Sequence, residues 1–356
     1  MEFENTINNL CMLEPVFDNK KTAVVLITNH EEIGNAATTI SSMIDCSNKE
    51  DIWDIVILHN DCDYYDEAMI HYYREKHREN VSIRMCSIRH EYNVGYVHID
   101  KKYSQDYVTM AFLPFVMSKF EHILYVRTGL VFIGEVWESV RRNVDEKPFE
   151  LYGDDEVKAI FFNVHKFRNT YSAWNIKNAL DSSDYNKRKD FFDKLEKESS
   201  NESKSHIIFD LSTSNDEKLF YKYAFATPFF ESLIYKSVEE KKEDINKVGK
   251  TFTGIYLFPF EKIEKGERVV IYGNGNVGRQ FIAQVKQTGY CRIVAVCDRK
   301  VQDGIVSIDE LRSLSLDKIV IAVASEKMSK EIELALNKIG VKSEQIVREI
   351  HRELYI

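Results

Sequence analysis

Between Gly273 and Gly278 the chain reads Gly-Asn-Gly-Asn-Val-Gly, directly after the apolar run RVVIY and before RQFIAQVKQ. Glycines at the first, third and sixth positions suit one chemistry: a backbone that turns tightly, admits a phosphate to its amides, and packs a helix against a strand. Gly273 is then the turn residue, Gly275 the point of approach and Gly278 the packing contact, with unpaired amides at the helix start facing an anion. Asp298 ends the next strand, 20 residues beyond Gly278. It either holds a ribose hydroxyl or is a solvated carboxylate. The alternative for the whole segment is a purely structural tight turn. No His, Cys or Lys constellation stands nearby for hydride transfer, so nucleotide binding is expected ahead of redox catalysis.

Asp61-Cys62-Asp63 and Asp154-Asp155-Glu156 are acidic clusters that could chelate a divalent cation, although acid-rich loops are commonly solvated and turn-forming. His30 and His59 each follow an apolar run, where an imidazole serves as a base, a ligand or an ordinary hydrogen-bonding group. The six cysteines include no CxxC pair. That usage, with a polar N-terminal stretch, fits a reduced, cytoplasmic chain, peripheral to the inner face of a membrane if associated with one.

These residues need elements to hold them. TAVVLIT (22–28) reads as a strand followed by a helical stretch over 35–44, and IWDIVIL (52–58) as a strand followed by a helix over 66–77. Strands follow at 81–86, 122–126, 130–133 and 159–163, with a helical run at 107–119. Alternation of this kind predicts a largely parallel sheet with helices on its faces. A second alternation starts at Arg268, with strands at 269–272, 292–297, 318–324 and 345–347. Residues 236–250 carry five basic and four acidic side chains, suited to a solvated connector. The boundary therefore falls there: a first domain over 1–250, with 183–205 as a surface insert and 236–250 as a linker, and a second over 251–356. The aromatic segment TFTGIYLFPF (251–260) is expected to pack the two domains together.

A chain of 356 residues is long enough for two such domains. Its net charge of −9 leaves no broad cationic surface for nucleic acid or anionic lipid, so no nucleic-acid partner is expected. The apolar stretches are strand-sized, and no transmembrane segment is expected.

The stretch YVTMAFLPFVMSKFEHILYVRTGLVFIGEVWESV (107–140) resembles the family 8 glycosyltransferases in its run of helix, Pro-centred turn, buried strand, motif and strand. The resemblance extends over roughly 22–169. Val24 to Met43 is similar to the opening strand and helix with a late serine, here Ser42, and FFNVHKFR (161–168) to the family's Asn-Leu-x-x-Trp-Arg corner. It implies a nucleotide-diphospho-sugar transferase-like mixed α/β sheet, a nucleotide-sugar donor, a glycan acceptor and hexosyl transfer.

The motifs that perform that reaction differ here. Where the family has Asp-x-Asp to hold Mn²⁺ or Mg²⁺, this chain has Arg127-Thr128-Gly129, so no divalent metal is expected at the family position. The nucleotide-contacting stretch reads Asn29-His30-Glu31-Glu32, the helix position of an expected Arg falls near Met110, and the acceptor-side Asn-Ala-Gly reads Glu156-Val157-Lys158. Carried over by position, the resemblance puts Thr28, Asn29, His30 and Thr128 against the donor and Arg127 and Asn163 in the catalytic centre. Arg127 either clamps the diphosphate in place of a metal, or is a strand-end residue facing water or an acid such as Glu135. The small C-terminal unit is also similar to nucleotide-binding appendages of bacterial surface-polysaccharide proteins, which makes it a Rossmann-like parallel α/β domain. Three readings follow: a glycosyltransferase-like protein of bacterial surface-glycan biosynthesis, a noncatalytic partner of an active transferase, and a nicotinamide-dependent oxidoreductase.

Overall fold

The computed structural model describes residues 13–17, 21–59, 61–75, 79–87, 105–133, 148–152, 159–181, 208–210, 217–240, 255–300 and 304–348. The chain separates into two compact units, Met1–Asn215 with Tyr223–Phe229, and Asp216–Lys222 with Phe230–Ile356. The expected insert at 183–205 lies outside the described residues, as does most of the linker at 236–250.

In the first unit, β1 (Thr22–Thr28), α1 (Ile33–Asp45), β2 (Trp53–His59), α2 (Tyr64–Glu75) and β3 (Val81–Ser87) alternate along the chain. After α3 (Gln105–Val116) come β4 (His122–Val126), β5 (Leu130–Phe132), β6 (Phe149–Tyr152) and β7 (Ala159–Asn163). Six of these form one sheet in the order β3-β2-β1-β4-β7-β6. Strands β1 to β4 are parallel, and β7 and β6 are antiparallel additions. The sheet is therefore mixed, as the family resemblance implies and plain alternation does not. β6 carries only four residues, FELY, including a buried acid, Glu150, and so offers no clear strand pattern.

Period-two alternation puts Ala23, Val25 and Ile27 on one face of β1 with Phe112, Leu113 and Phe115 of α3, and Val24 and Leu26 on the other with Ala36, Ala37 and Ile40 of α1. Both faces are covered, so the central strands are apolar throughout. Pro114 sits inside α3, two residues before its end, and the expected Pro-centred turn is the helix terminus itself. β5 leaves the sheet to pair antiparallel with β8 (Ile208–Asp210). Ser42 joins it to α1: its hydroxyl donates to the Thr39 carbonyl at 2.8 Å and accepts the Phe132 N–H at 3.0 Å. Short helices α4 (Val164–Thr170) and α5 (Ala173–Asp181) follow β7, while most of α6 (Glu217–Ala224) and all of α7 (Phe230–Glu240) belong to the second unit.

The second unit contains β9 (Arg268–Tyr272), α8 (Asn276–Thr288), β10 (Arg292–Cys297), β11 (Ile305–Val306), β12 (Lys318–Ile321), α9 (Glu326–Lys338) and β13 (Ile346–Val347). All five strands are parallel, in the order β11-β10-β9-β12-β13. The segment Ile255 to Phe260 belongs to this unit. Tyr256 and Phe258 donate their N–H groups to Gln280 and Gln284 on α8, at 3.0 and 2.9 Å, and Gln284 returns a bond to the Tyr256 carbonyl. Phe258 meets Phe281 edge-on, and Phe260 meets Tyr290 likewise. The described part of the aromatic run packs on its own unit's helix, where two buried glutamines supply it with strand-like partners.

Candidate functional site

The chain leaves β1 toward β2 and β3, then returns to pair β4 on the other edge of β1. Such a reversal opens a crevice beyond the C-terminal strand ends, the usual ligand position in α/β sheets. Thr28 ends β1 with Asn29 and His30 just after it, and Arg127 and Thr128 follow β4, so five of the six site residues expected in this unit lie at the same ends of adjacent parallel strands. Thr28 is buried and donates its hydroxyl to the Asn29 carbonyl at 3.4 Å. The Asn29 side chain accepts the Glu32 N–H, three residues on, at 2.9 Å at the entry to α1, a bond that uses its oxygen and not its amide N–H₂. Arg127 and Thr128 are half-buried.

Asn163 is not brought to this end. It pairs with His122, at the opposite end of β4 from Arg127, and its side chain accepts the Lys166 N–H at 3.0 Å as the cap of α4. A five-residue strand separates the two by roughly 15 Å, so the expected catalytic pairing of Arg127 with Asn163 is corrected. Antiparallel pairing of β7 with β4 is the reason, since it turns the end of β7 toward the start of β4. Met110 is buried in α3. Glu135, Asp154, Asp155 and the Glu156-Val157-Lys158 segment lie outside the described residues. At the position where the resemblance implies a metal, the guanidinium of Arg127, the hydroxyl of Thr128 and Gly129 do not fit a divalent cation, which needs anionic oxygen ligands.

The richer polar cluster lies on the β2 side of the crevice. His30 donates from Nδ1 to Asp66 Oδ2 at 2.7 Å, and its backbone N–H donates to Asp61 Oδ1 at 2.8 Å. Asp66 is buried in the first turn of α2 and also accepts the Asp63 N–H. Asp63 in turn caps α2 by accepting the Tyr65 and Asp66 N–H groups at 2.7 and 3.0 Å. The hydrogen-bonded Asp66 carboxylate holds His30 above its ordinary pKa. His59, paired in register with Thr28, is buried, and desolvation pulls its pKa down. Burial, reinforced by the surrounding acids, pushes the Cys62 thiol up to about 12. Asp66 was not among the expected site residues. Its signal was the Asp63-x-x-Asp66 spacing, an acidic analogue of the capping box at a helix start.

In the second unit the glycine turn again meets a reversal, since β9 lies between β10 and β12. Gly273 has φ +120°, and a Cβ there would stand 2.6 Å from the Ala322 carbonyl oxygen. A Cβ on Gly278 would collide with the Gly273 carbonyl. Gly275 differs: its φ of −77° is open to any residue, and a Cβ on it would meet nothing within 4 Å. It precedes α8 as an N-cap without a side-chain bond. Asp298 faces the turn, accepting the Asn274 N–H at 2.7 Å and the Lys300 N–H at 3.1 Å.

Among the described residues, no helix is long and apolar enough to cross a membrane. No family model matches the chain, and no curated protein matches it. Among solved structures it is similar to the apo structure of the WbbM bifunctional glycosyltransferase, at 14% identity and a TM-score of 0.45, covering 62% of this chain and 52% of that one. It is similar to the glycosyltransferase GlyE of Streptococcus pneumoniae TIGR4 at 11% identity and a TM-score of 0.35, over 89% and 91% of the two chains. The galactosyltransferase LgtC, in complex with donor and acceptor sugar analogs, is similar at 8% identity and a TM-score of 0.34, over 41% of this chain and 59% of that one. The chain thus spans about half the length of the WbbM chain it matches.

Proposed function

We propose that the chain is a glycosyltransferase-like protein of bacterial surface-glycan assembly that binds a nucleotide sugar beyond the ends of β1 and β4, and a nucleotide at the glycine turn of the second unit. What supports this reading is the reversal of strand order at β1, the position where α/β sheets usually bind ligands, with Thr28 and the residues after β4 at the same end of the sheet. Thr28, Asn29 and His30 then face the base and ribose, and Thr128 lies against the diphosphate. Arg127 meets the phosphate oxygens with a fixed positive charge, which stabilises the departing diphosphate as a hexosyl group moves to a glycan acceptor. No step passes through a metal at the end of β4. In the second unit, support comes from Gly275, whose lack of a side chain no intramolecular contact demands.

The test is a thermal-shift screen of UDP- and GDP-sugars in the presence of a chelator, followed by turnover measurements. A bound donor raises the melting temperature by mass action. Arg127→Ala should weaken donor binding by about tenfold or more. Strict dependence of turnover on Mn²⁺ would remove the Arg127 clamp, and failure of every nucleotide sugar to bind would remove the reading.

A second reading is a noncatalytic partner of an active transferase, favoured by the replacement of Asp-x-Asp with Arg127-Thr128-Gly129. Donor binding without turnover, together with co-purification of a transferase, selects it. Turnover by the isolated chain excludes it.

A further inference from the structure

Four carboxylates, those of Asp61, Asp63, Asp66 and Glu67, gather where β2 runs into α2. One ligand atom each from His30, Asp63 and Asp66 lies within 4.8 Å of the other two, a spacing that one cation can bridge. Taken alone, the hydrogen bonds here describe a capped helix start. His59 is not accounted for by that cap. Its side chain is 4% exposed, and among the described residues neither ring nitrogen has a hydrogen-bond partner. Nε2 faces this loop, 3.8 Å from Glu67 Oε1, and the ring feels the charges of Glu67, Asp61 and Asp66. Buried polar atoms are nearly always hydrogen-bonded, so an imidazole without a hydrogen bond beside three carboxylates marks a polar set that is incomplete as it stands.

We propose that this loop binds one divalent first-row transition ion, held by His30, Asp63 and Asp66, with the buried His59 imidazole next to it on the Glu67 side. Asp66, with a side chain 7% exposed, is the inner ligand, and His30, at 59%, the outer one. Both carboxylates keep unused lone pairs beyond their backbone bonds. Imidazole combined with carboxylate oxygen favours Mn²⁺ or Zn²⁺ over Mg²⁺ or Ca²⁺, which prefer oxygen alone. The site lies between the end of β1 and the start of α2 and shares His30 with the donor face proposed above, but does not rest on that function.

Mn²⁺ added to the full-length chain and followed by electron paramagnetic resonance tests this. The expected result is one saturable ion per chain, showing ¹⁴N coupling from imidazole, that equimolar Mg²⁺ does not displace. His30→Gln, at an exposed position, should weaken Mn²⁺ binding by about tenfold or more. Asp63→Ser removes a carboxylate but keeps an N-capping oxygen for α2, and should weaken binding by about tenfold or more with the helix intact. No saturable binding, absence of ¹⁴N coupling, displacement by Mg²⁺, or unchanged affinity in either variant overturns the proposal. Donor binding measured in chelator reports on the proposed function alone, so the two ideas can fail separately.

Discussion

The carbonyl of Gly273 occupies the space where a side chain on Gly278 would begin: a Cβ there would be 2.8 Å from the Gly273 carbonyl carbon and nearer still to its oxygen. The first and last glycines of the motif therefore hold each other in place, and the middle one has no such duty. Gly278→Ala should cost about 3 kcal/mol by overpacking against backbone. Gly275→Ser should leave stability within about 0.5 kcal/mol, because serine can cap α8. If a nucleotide approaches this turn, the same serine should weaken it by about tenfold or more. Urea unfolding and calorimetric titration of the two variants separate the roles.

Asp54, 1% exposed, is met by Arg84 Nη2 at 2.8 and 3.0 Å and by the Val16 N–H at 3.0 Å. Arg84→Met leaves a buried carboxylate without its cation and should destabilise the first unit by about 3 kcal/mol. Asp54→Leu combined with Arg84→Met should recover most of that loss. Denaturant unfolding of the four members of this cycle measures the coupling.

Asp317 lies at the entry to β12 and accepts the Arg268 N–H at 2.8 Å, its Nε–H at 3.0 Å and its Nη2–H at 2.6 Å. The side-chain bonds from Arg268 lead in holding its carboxyl down at about 2, against an ordinary value of 3.8. A carboxyl depressed on folding contributes stability above its unfolded pKa and loses it as the pH falls through its folded one. Stability of the second unit should therefore decline between about pH 4 and pH 2, and Asp317→Asn should remove that part of the slope. Carboxyl titration by NMR and acid unfolding of both proteins check it.

Burial pushes the thiols of Cys291 and Cys297 up to about 12. Only on the order of 10⁻⁴ of each is thiolate at pH 8, and the thiolate is the reactive form. Iodoacetamide should leave both unmodified in the native chain at pH 8 and modify both in urea, as read by peptide mass spectrometry. Rapid native alkylation of either would contradict the packing around β10.

The capping bonds explain why the candidate sites were only partly legible. The resemblance points to Asn29 and Asn163, the acidic cluster to Asp63 and the glycine motif to Asp298, and each of the four accepts a backbone N–H in a turn or cap. A short side-chain oxygen does the same local work whether or not a ligand also meets it. Sequence spacing does not separate the two uses. Strand pairing does: β1 and β4, which precede Asn29 and Arg127, run parallel and end together, and Asn163 lies at the other end of β4.

What the chain determined by itself is local and periodic. Alternating apolar runs specify β1 to β4 and β9, β10 and β12, and the glycine spacing specifies the turn into α8, because strand, helix and tight turn each depend on neighbours a few residues away. The tertiary structure alone decided which ends meet. Antiparallel addition of β7 carried Asn163 away from Arg127, and the strand reversal at β1 opened the crevice. Parallel pairing of β2 with β1 set His59 beside Thr28 and brought the start of α2 to His30, across 36 residues of chain. Strand order and direction follow from burying both faces of one sheet at once, a condition on the whole unit that no single segment encodes.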